Sequence, residues 1–286
     1  MSRRVLIISV VIVFTLAIGF LVYLGWRSIN RKEGAAKTEE VASPIEETAS
    51  KAARLLVSEN PSDYRKSLKT KAVSPDGLQK AFLERESGGL YLKTTDLKTN
   101  QTKKIGRVNL EDVDLVWQKP DEIFFTEKPS SSWPTSAWSF NLKEKTFRFL
   151  FRNESGLMIN WLADDGLILK FSNLGPQNPT LTLISNEQAI ILPFITLPQK
   201  CASSRNKIYC AIPSQIASDV VLPDDYLKNK FYSQDKIISF QLEPIEIESV
   251  FSEQEQKIDA VDLVIKDNDL YFTNRYDDKV YILPLK

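Results

Sequence analysis

Two pairs of aspartates are the side chains best suited to chemistry in this chain. Asp112 and Asp114 flank Val113 in the line VDLVWQKPDEIFF, and Asp259 and Asp262 flank the start of a near copy, VDLVIKDNDLYF, that begins 148 residues later. Two carboxylates about 5 to 9.5 Å apart can cleave a glycosidic bond, one donating a proton while the other acts as base or nucleophile. Asp114 and Asp262 hold matching places in the repeated line and alternate with apolar neighbours, which suits a structural role equally well. Histidine is absent from all 286 residues. That excludes His-activated nucleophiles, HExxH zinc sites and the usual near-neutral proton shuttle. Cys201 and Cys210 cannot build a four-thiolate site, and neither a Gly-Lys-Ser/Thr phosphate loop nor a GxGxxG line occurs. No cofactor, metal site or catalytic residue is expected, and the chain reads as a nonenzyme with glycoside hydrolysis as the one enzymatic alternative.

The elements that position these residues are strands. Past residue 54 the chain is written in short runs of β-branched and aromatic residues between turn signals. The second copy shows the unit best: Val113–Gln118, Glu122–Thr126, Ala137–Leu142 and Thr146–Phe151. Asp76, Asp121, Asp165, Arg205 and Asp267 mark equivalent turns, with spacings of 45, 44, 40 and 62 residues. Aspartates there serve backbone bonding. A four-stranded period of about 40 to 50 residues is that of a propeller blade, a sheet that buries its two faces against copies of itself. Five blades are expected, with six the alternative. The fifth copy lacks a fourth strand, and Arg54–Val57 is expected to supply it, because an open edge invites aggregation.

Ser74-Pro75-Asp76-Gly77 followed by Lys80-Ala81-Phe82 resembles the repeat of TolB-like propellers, which are WD-repeat-like in build. Lys200-Cys201 to Tyr209-Cys210-Ala211, Leu222-Pro223-Asp224-Asp225-Tyr226 and Asp269-Leu270-Tyr271-Phe272-Thr273-Asn274 are similar to segments of membrane-anchored bacterial propellers that carry such repeats. The resemblance covers residues 70 to 286 and implies a fold rather than an activity.

Val5 to Leu24 holds 20 residues without a charge, enough at about 1.5 Å each to cross the roughly 30 Å of a hydrocarbon core. Residues 1–4 are expected as a short cytoplasmic end, 5–26 as an uncleaved transmembrane anchor in the lipid bilayer, 27–53 as a tether and 54–286 as the propeller. Flanking bases do not decide orientation. Beyond residue 37 the net charge is −5. Such a domain lacks the basic stripe that phosphate backbones require, so nucleic acid is not an expected partner.

Cys201 and Cys210 flank the turn of one hairpin, where they form a disulfide or pack as two buried thiols. A disulfide favours the extracytoplasmic side, with the N-terminus inside, at the cell membrane. Loops between second and third strands are long in three consecutive copies: Glu127–Ser136, Ser172–Pro179 and Pro213–Asp235. Trp133, Tyr226, Phe231 and Tyr232 lie in these insertions as candidate binding residues for a protein or envelope polymer, or as local core. The expected role is a noncatalytic binding or scaffold module at the cell envelope. An architectural subunit of a membrane complex is a further alternative.

Overall fold

The computed structural model describes residues 56–57, 71–110, 112–162, 166–175, 178–185, 188–204, 207–241, 246–252 and 256–285. The expected transmembrane anchor and tether lie outside them, as do Asp165 and Arg205. No helix among the described residues is long and apolar enough to cross a membrane.

A two-residue strand, β1 (Leu56–Val57), precedes a meander of β2 (Lys71–Val73), β3 (Gln79–Glu86), β4 (Gly89–Asp96) and β5 (Thr102–Val108). Next come β6 (Val113–Lys119), β7 (Glu122–Glu127), β8 (Pro134–Asn141) and the sixteen-residue β9 (Thr146–Trp161), then β10 (Ile168–Asn173), β11 (Pro179–Ser185) and β12 (Gln188–Ile191). These seven form one sheet because β9 serves two meanders, pairing with β8 up to Ser155 and with β10 from Ser155 onward. The sequence suggested a strand ending at Phe151. Gly156 is the reason it continues: at φ +70 it bends the chain from one meander into the next without ending the pairing.

A third sheet holds β13 (Cys201–Ser204), β14 (Lys207–Pro213), β15 (Asp235–Gln241) and β16 (Ile247–Phe251). The last holds β17 (Ala260–Lys266), β18 (Asp269–Asn274) and β19 (Lys279–Pro284), and its fourth strand is β1. Leu56 stands opposite Ile282 and Val57 opposite Tyr281 in antiparallel register. Since β19 runs away from the Arg275–Asp278 loop, β1 enters from the end opposite that loop.

Turn residues explain the hairpins. Asp267 and Asn268 both take left-handed backbone, φ 51 and 69, as a two-residue hairpin requires. In the first meander the Asp76 carboxylate accepts the Leu78 N–H at 2.9 Å and the Ser74 hydroxyl at 2.5 Å, a local bonding role. The sheets pack face to face through apolar layers. Ala81 and Leu92 meet Leu115 and Phe125, Phe171 and Leu181 meet Cys210 and Phe240, and Ala211 and Ile237 meet Leu270 and Phe272. Each large side chain so buried contributes about 1.5 to 3 kcal/mol. The fold is all-β and propeller-like.

Candidate functional site

The repeated aspartates do not converge. Asp112 is exposed, has φ 53 and pairs with Lys128 at 3.3 Å. Asp262 sits where the β17 and β18 register slips, also with φ 53, a backbone that aspartate tolerates better than most residues. Asp114 stays in register opposite Thr126. Only Asp259 enters a charged cluster.

That cluster lies at the heads of β13 and β17, strands that pack against each other. Lys200 closes the short 3-10 turn Pro198–Lys200, which Asn160 holds by donating to the Pro198 and Cys201 carbonyls at 3.0 Å. Its ammonium reaches Asp235 Oδ2 at 2.7 Å, Asp259 Oδ1 at 2.8 Å and Ser233 Oγ at 2.6 Å. The Lys200 side chain is 1% exposed and the two carboxylates are 0% exposed. Sharing one nitrogen, these two carboxylate oxygens are no more than 5.5 Å apart.

Their partners differ. Asp259 also accepts the Tyr226 hydroxyl at 2.6 Å, the Ser233 N–H and hydroxyl, and Arg275 Nη1 at 2.9 Å. Burial acts upward on its carboxyl but is outweighed by Lys200, Tyr226 and Arg275, which hold it below the ordinary value of 3.8. Asp235 Oδ2 also accepts the Ala260 N–H at 2.8 Å, Ser233 acts on the same carboxyl, and Oδ1 is buried without a donor among the described residues. Burial drives this carboxyl above the ordinary value, against the pull of Lys200. One pair of neighbouring carboxyls is thus displaced in opposite directions. Burial and the Asp259 charge push the Tyr226 hydroxyl far up, so it remains a hydrogen-bond donor.

The insertion between β14 and β15 covers this cluster. Its neck closes where Ser214 N–H meets the Gln234 carbonyl at 2.7 Å, and its short helix α1 (Asp224–Leu227) brings in Tyr226. Asp224 Oδ1 accepts the Ser131 N–H from the β7–β8 loop at 2.6 Å. The Leu222 carbonyl accepts Asn173 Nδ2 from the end of β10 at 2.8 Å. Arg275, after β18, donates to the Tyr226 carbonyl at 3.1 Å and to Asn229 Oδ1 at 2.6 Å. The lengthened loops therefore meet over one end of the sheets. Gly156 guards this footing, because a Cβ there would lie 2.7 Å from Asn173 Nδ2.

The four loop aromatics named from the sequence separate. Trp133 is 74% exposed and Tyr232 40% exposed, whereas Tyr226 is 3% exposed and Phe231 packs against the core. Sequence reading missed Lys200, Asp235, Arg275 and Tyr276. The available signal was a lysine and two aspartates written against the apolar starts of strands, where an unpaired charge is costly.

Cys201 and Cys210 stand directly opposite in the β13–β14 hairpin with Cα atoms 4.1 Å apart, and they form a disulfide. It fixes the strand that carries Lys200 at its head. Among the described residues no group of three or more His, Cys, Asp or Glu side chains could hold a metal ion.

No family model matches this chain, and no curated protein matches it. Solved structures do. A prolyl endopeptidase superposes with a TM-score of 0.54 at 11% identity, over 76% of this chain and 33% of that one. An oligogalacturonate lyase in complex with manganese also gives 0.54 at 11% identity, over 76% of this chain and 64% of that one. TolB from Acinetobacter baumannii gives 0.44 at 13% identity, over 82% and 55%. The chain thus spans a third to two thirds of the length of these proteins, and at such identity the likeness is one of fold. The expectations of a noncatalytic binding or scaffold module, and of a nonenzyme, run against these neighbours, two of which are enzymes by name. The absence of histidine removed the commonest catalytic groups but did not remove catalysis by carboxyls.

Proposed function

We propose that this chain is a catalytic propeller that cleaves a polymer by acid–base hydrolysis at the end of the sheets covered by the insertion. One observation carries the reading: Asp235 and Asp259 share Lys200, and their surroundings drive the first carboxyl up and the second down. Neighbouring carboxyls displaced apart in this way divide naturally into a proton donor and a base. Asp235 would protonate the leaving group while Asp259 accepts a proton from water, whose oxygen joins the other fragment. Both groups lie beneath Tyr226 and Arg275, so turnover requires residues 214–234 to lift. Lifting breaks the hydrogen bonds made by Ser214, Asp224 and Leu222 and uncovers the buried Leu222 and Tyr226. The endopeptidase and the oligogalacturonate lyase are enzymes of similar fold, which supports a catalytic role.

The same reading takes the sheets as five blades, with β9 shared between the second and third and β1 closing the fifth. Val5–Leu24 anchors the chain in the bilayer, with the N-terminus inside and the propeller on the extracytoplasmic side. The disulfide supports that side.

The test is turnover of peptide and polysaccharide libraries by the purified full chain, with products identified by mass. The native chain cleaves one class, and Asp235→Asn and Asp259→Asn lower the rate by about 10² or more, the usual weight of a general acid or base. A native chain that cleaves neither class, or a folded Asp235→Asn variant that cleaves at the native rate, overturns the reading.

A further inference from the structure

We infer that Tyr232 and Tyr276 form a stacking site for a neutral glycan, which names the polymer class for the cleavage reading above and rests on that reading. Tyr232 leaves the insertion and Tyr276 lies in the β18–β19 loop, and their rings approach to 5.5 Å between centroids with planes 34° apart. Both rings stay exposed, at 40% and 42%. A pair of exposed tyrosines is not in itself a site. This pair has a built footing, because the Arg275 guanidinium lies 3.9 Å from the buried Tyr226 ring centroid and 4.5 Å from that of Tyr232.

With the insertion seated, Arg275 is held in place, since Nη1 donates to the buried Asp259 and Nη2 to the Tyr226 carbonyl and Asn229. The Tyr276 backbone is held too, its N–H donating to Asn274 Oδ1 at 3.4 Å, the atom that also receives the Asp259 N–H at 3.0 Å. The exposed parts of the two rings are therefore presented by groups that are already ordered, so binding costs little further side-chain freedom. The platform is linked to the carboxylate pair through one arginine, because Arg275 lies against Tyr232 and donates to Asp259.

The chemistry selects the occupant. Flat aromatic faces take the apolar face of a pyranose ring. A uronate would need a guanidinium fork, and here both terminal nitrogens of Arg275 are already engaged. Asp277 and Asp278, exposed beside Tyr276, further disfavour an acidic chain. A peptide added as a strand would need a sheet edge, whereas the platform is made of two loops; a polyproline segment, which docks on aromatics without one, is therefore the peptide tested.

The experiment is calorimetric titration of the full chain with a hexamer of N-acetylglucosamine, a hexamer of galacturonate and a decaproline peptide. Native protein, Tyr232→Ala/Tyr276→Ala and the off-site control Phe149→Ala are compared. The expected result is binding of the neutral hexamer alone, weakened about tenfold or more in the double variant and unchanged in Phe149→Ala, on the scale of aromatic contacts. Equal or tighter binding of the galacturonate or peptide, or native affinity in the double variant, overturns the inference. Measuring KM and kcat on the same variants separates the two readings. Glycan binding lost in the double variant, with no cleavage by the native chain, leaves the platform standing and removes the hydrolysis. Cleavage with native KM in the double variant does the reverse.

Discussion

Replacing Lys200 by Met should be among the most destabilising single changes in the chain. The substitution keeps most of the apolar volume but removes the cation between Asp235 and Asp259, which lie 2.7 and 2.8 Å from it with no exposed surface. Asp259 retains Arg275, so its charge stays partly compensated. Asp235 retains the Ala260 N–H and Ser233 but no cation among the described residues, leaving a buried charge to be neutralised by proton uptake or endured. Breaking a buried pair by deleting one member costs about 3 to 5 kcal/mol. For a domain of this size that lowers the melting temperature by about 6 to 20 °C. Adding Asp235→Asn should recover much of the loss, because the deficit resides in one uncompensated carboxylate. Equilibrium urea unfolding of the native chain, the single variant and the double variant measures all three stabilities, with unchanged slopes confirming a common transition. A single variant within about 0.5 kcal/mol of native, the scale of an ordinary surface change, would refute the argument that this cluster is a closed electrostatic unit. A double variant no better than the single would show that the cost lies elsewhere than in Asp235.

Three further predictions concern the frame. Replacing both cysteines by Ala should cost about 2 to 3 kcal/mol by the chain-entropy model for a loop of this length, measured by urea unfolding against the native chain under reducing and oxidising conditions. Gly156→Ala combines left-handed backbone with a Cβ 2.7 Å from Asn173 Nδ2, so it should cost more than about 1 kcal/mol and speed proteolysis within residues 214–234. The two carboxyls should give opposite pH signatures in stability. Asp259, held below 3.8, contributes stability that is complete above that value and is lost as pH falls through its folded pKa; Asp235, held above, becomes a liability as pH rises through its own. Asp259→Asn should flatten the acid limb and Asp235→Asn the opposite one, read from unfolding midpoints across pH.

Much of the frame is written locally. The line VDLV with its following turn encodes an inner strand and hairpin in both copies, and the Cys201 and Cys210 register follows from counting around one turn. The insertion at Pro213–Asp235 is visible as an excess over the repeat. What the sequence hid is nonlocal. Lys200 meets acids 35 and 59 residues away, and nothing next to it in Leu197-Pro198-Gln199-Lys200 announces them. Asp112 and Asp259 look alike in sequence, yet one is exposed beside Lys128 and the other is enclosed, because only Asp259 lies under the insertion. Tyr226 reads as a surface aromatic because its neighbours are polar. Its hydroxyl bond to Asp259 is what turns it inward. The stretch after Phe151 reads as a break between strands, whereas the backbone freedom of Gly156 lets one strand serve two meanders.

The most direct test of the whole account is the pH dependence of kcat/KM for the intact chain on the polymer it cleaves. If Asp259 is the base and Asp235 the acid, the profile is a bell, its acid limb lying below the ordinary aspartate value of 3.8 and its alkaline limb above it. In Asp235→Asn the residual rate, lowered about 10²-fold, should show no alkaline limb. A rate that climbs without an alkaline limb, or a bell that is unchanged in Asp235→Asn, would contradict the assignment of the reaction to this carboxyl pair.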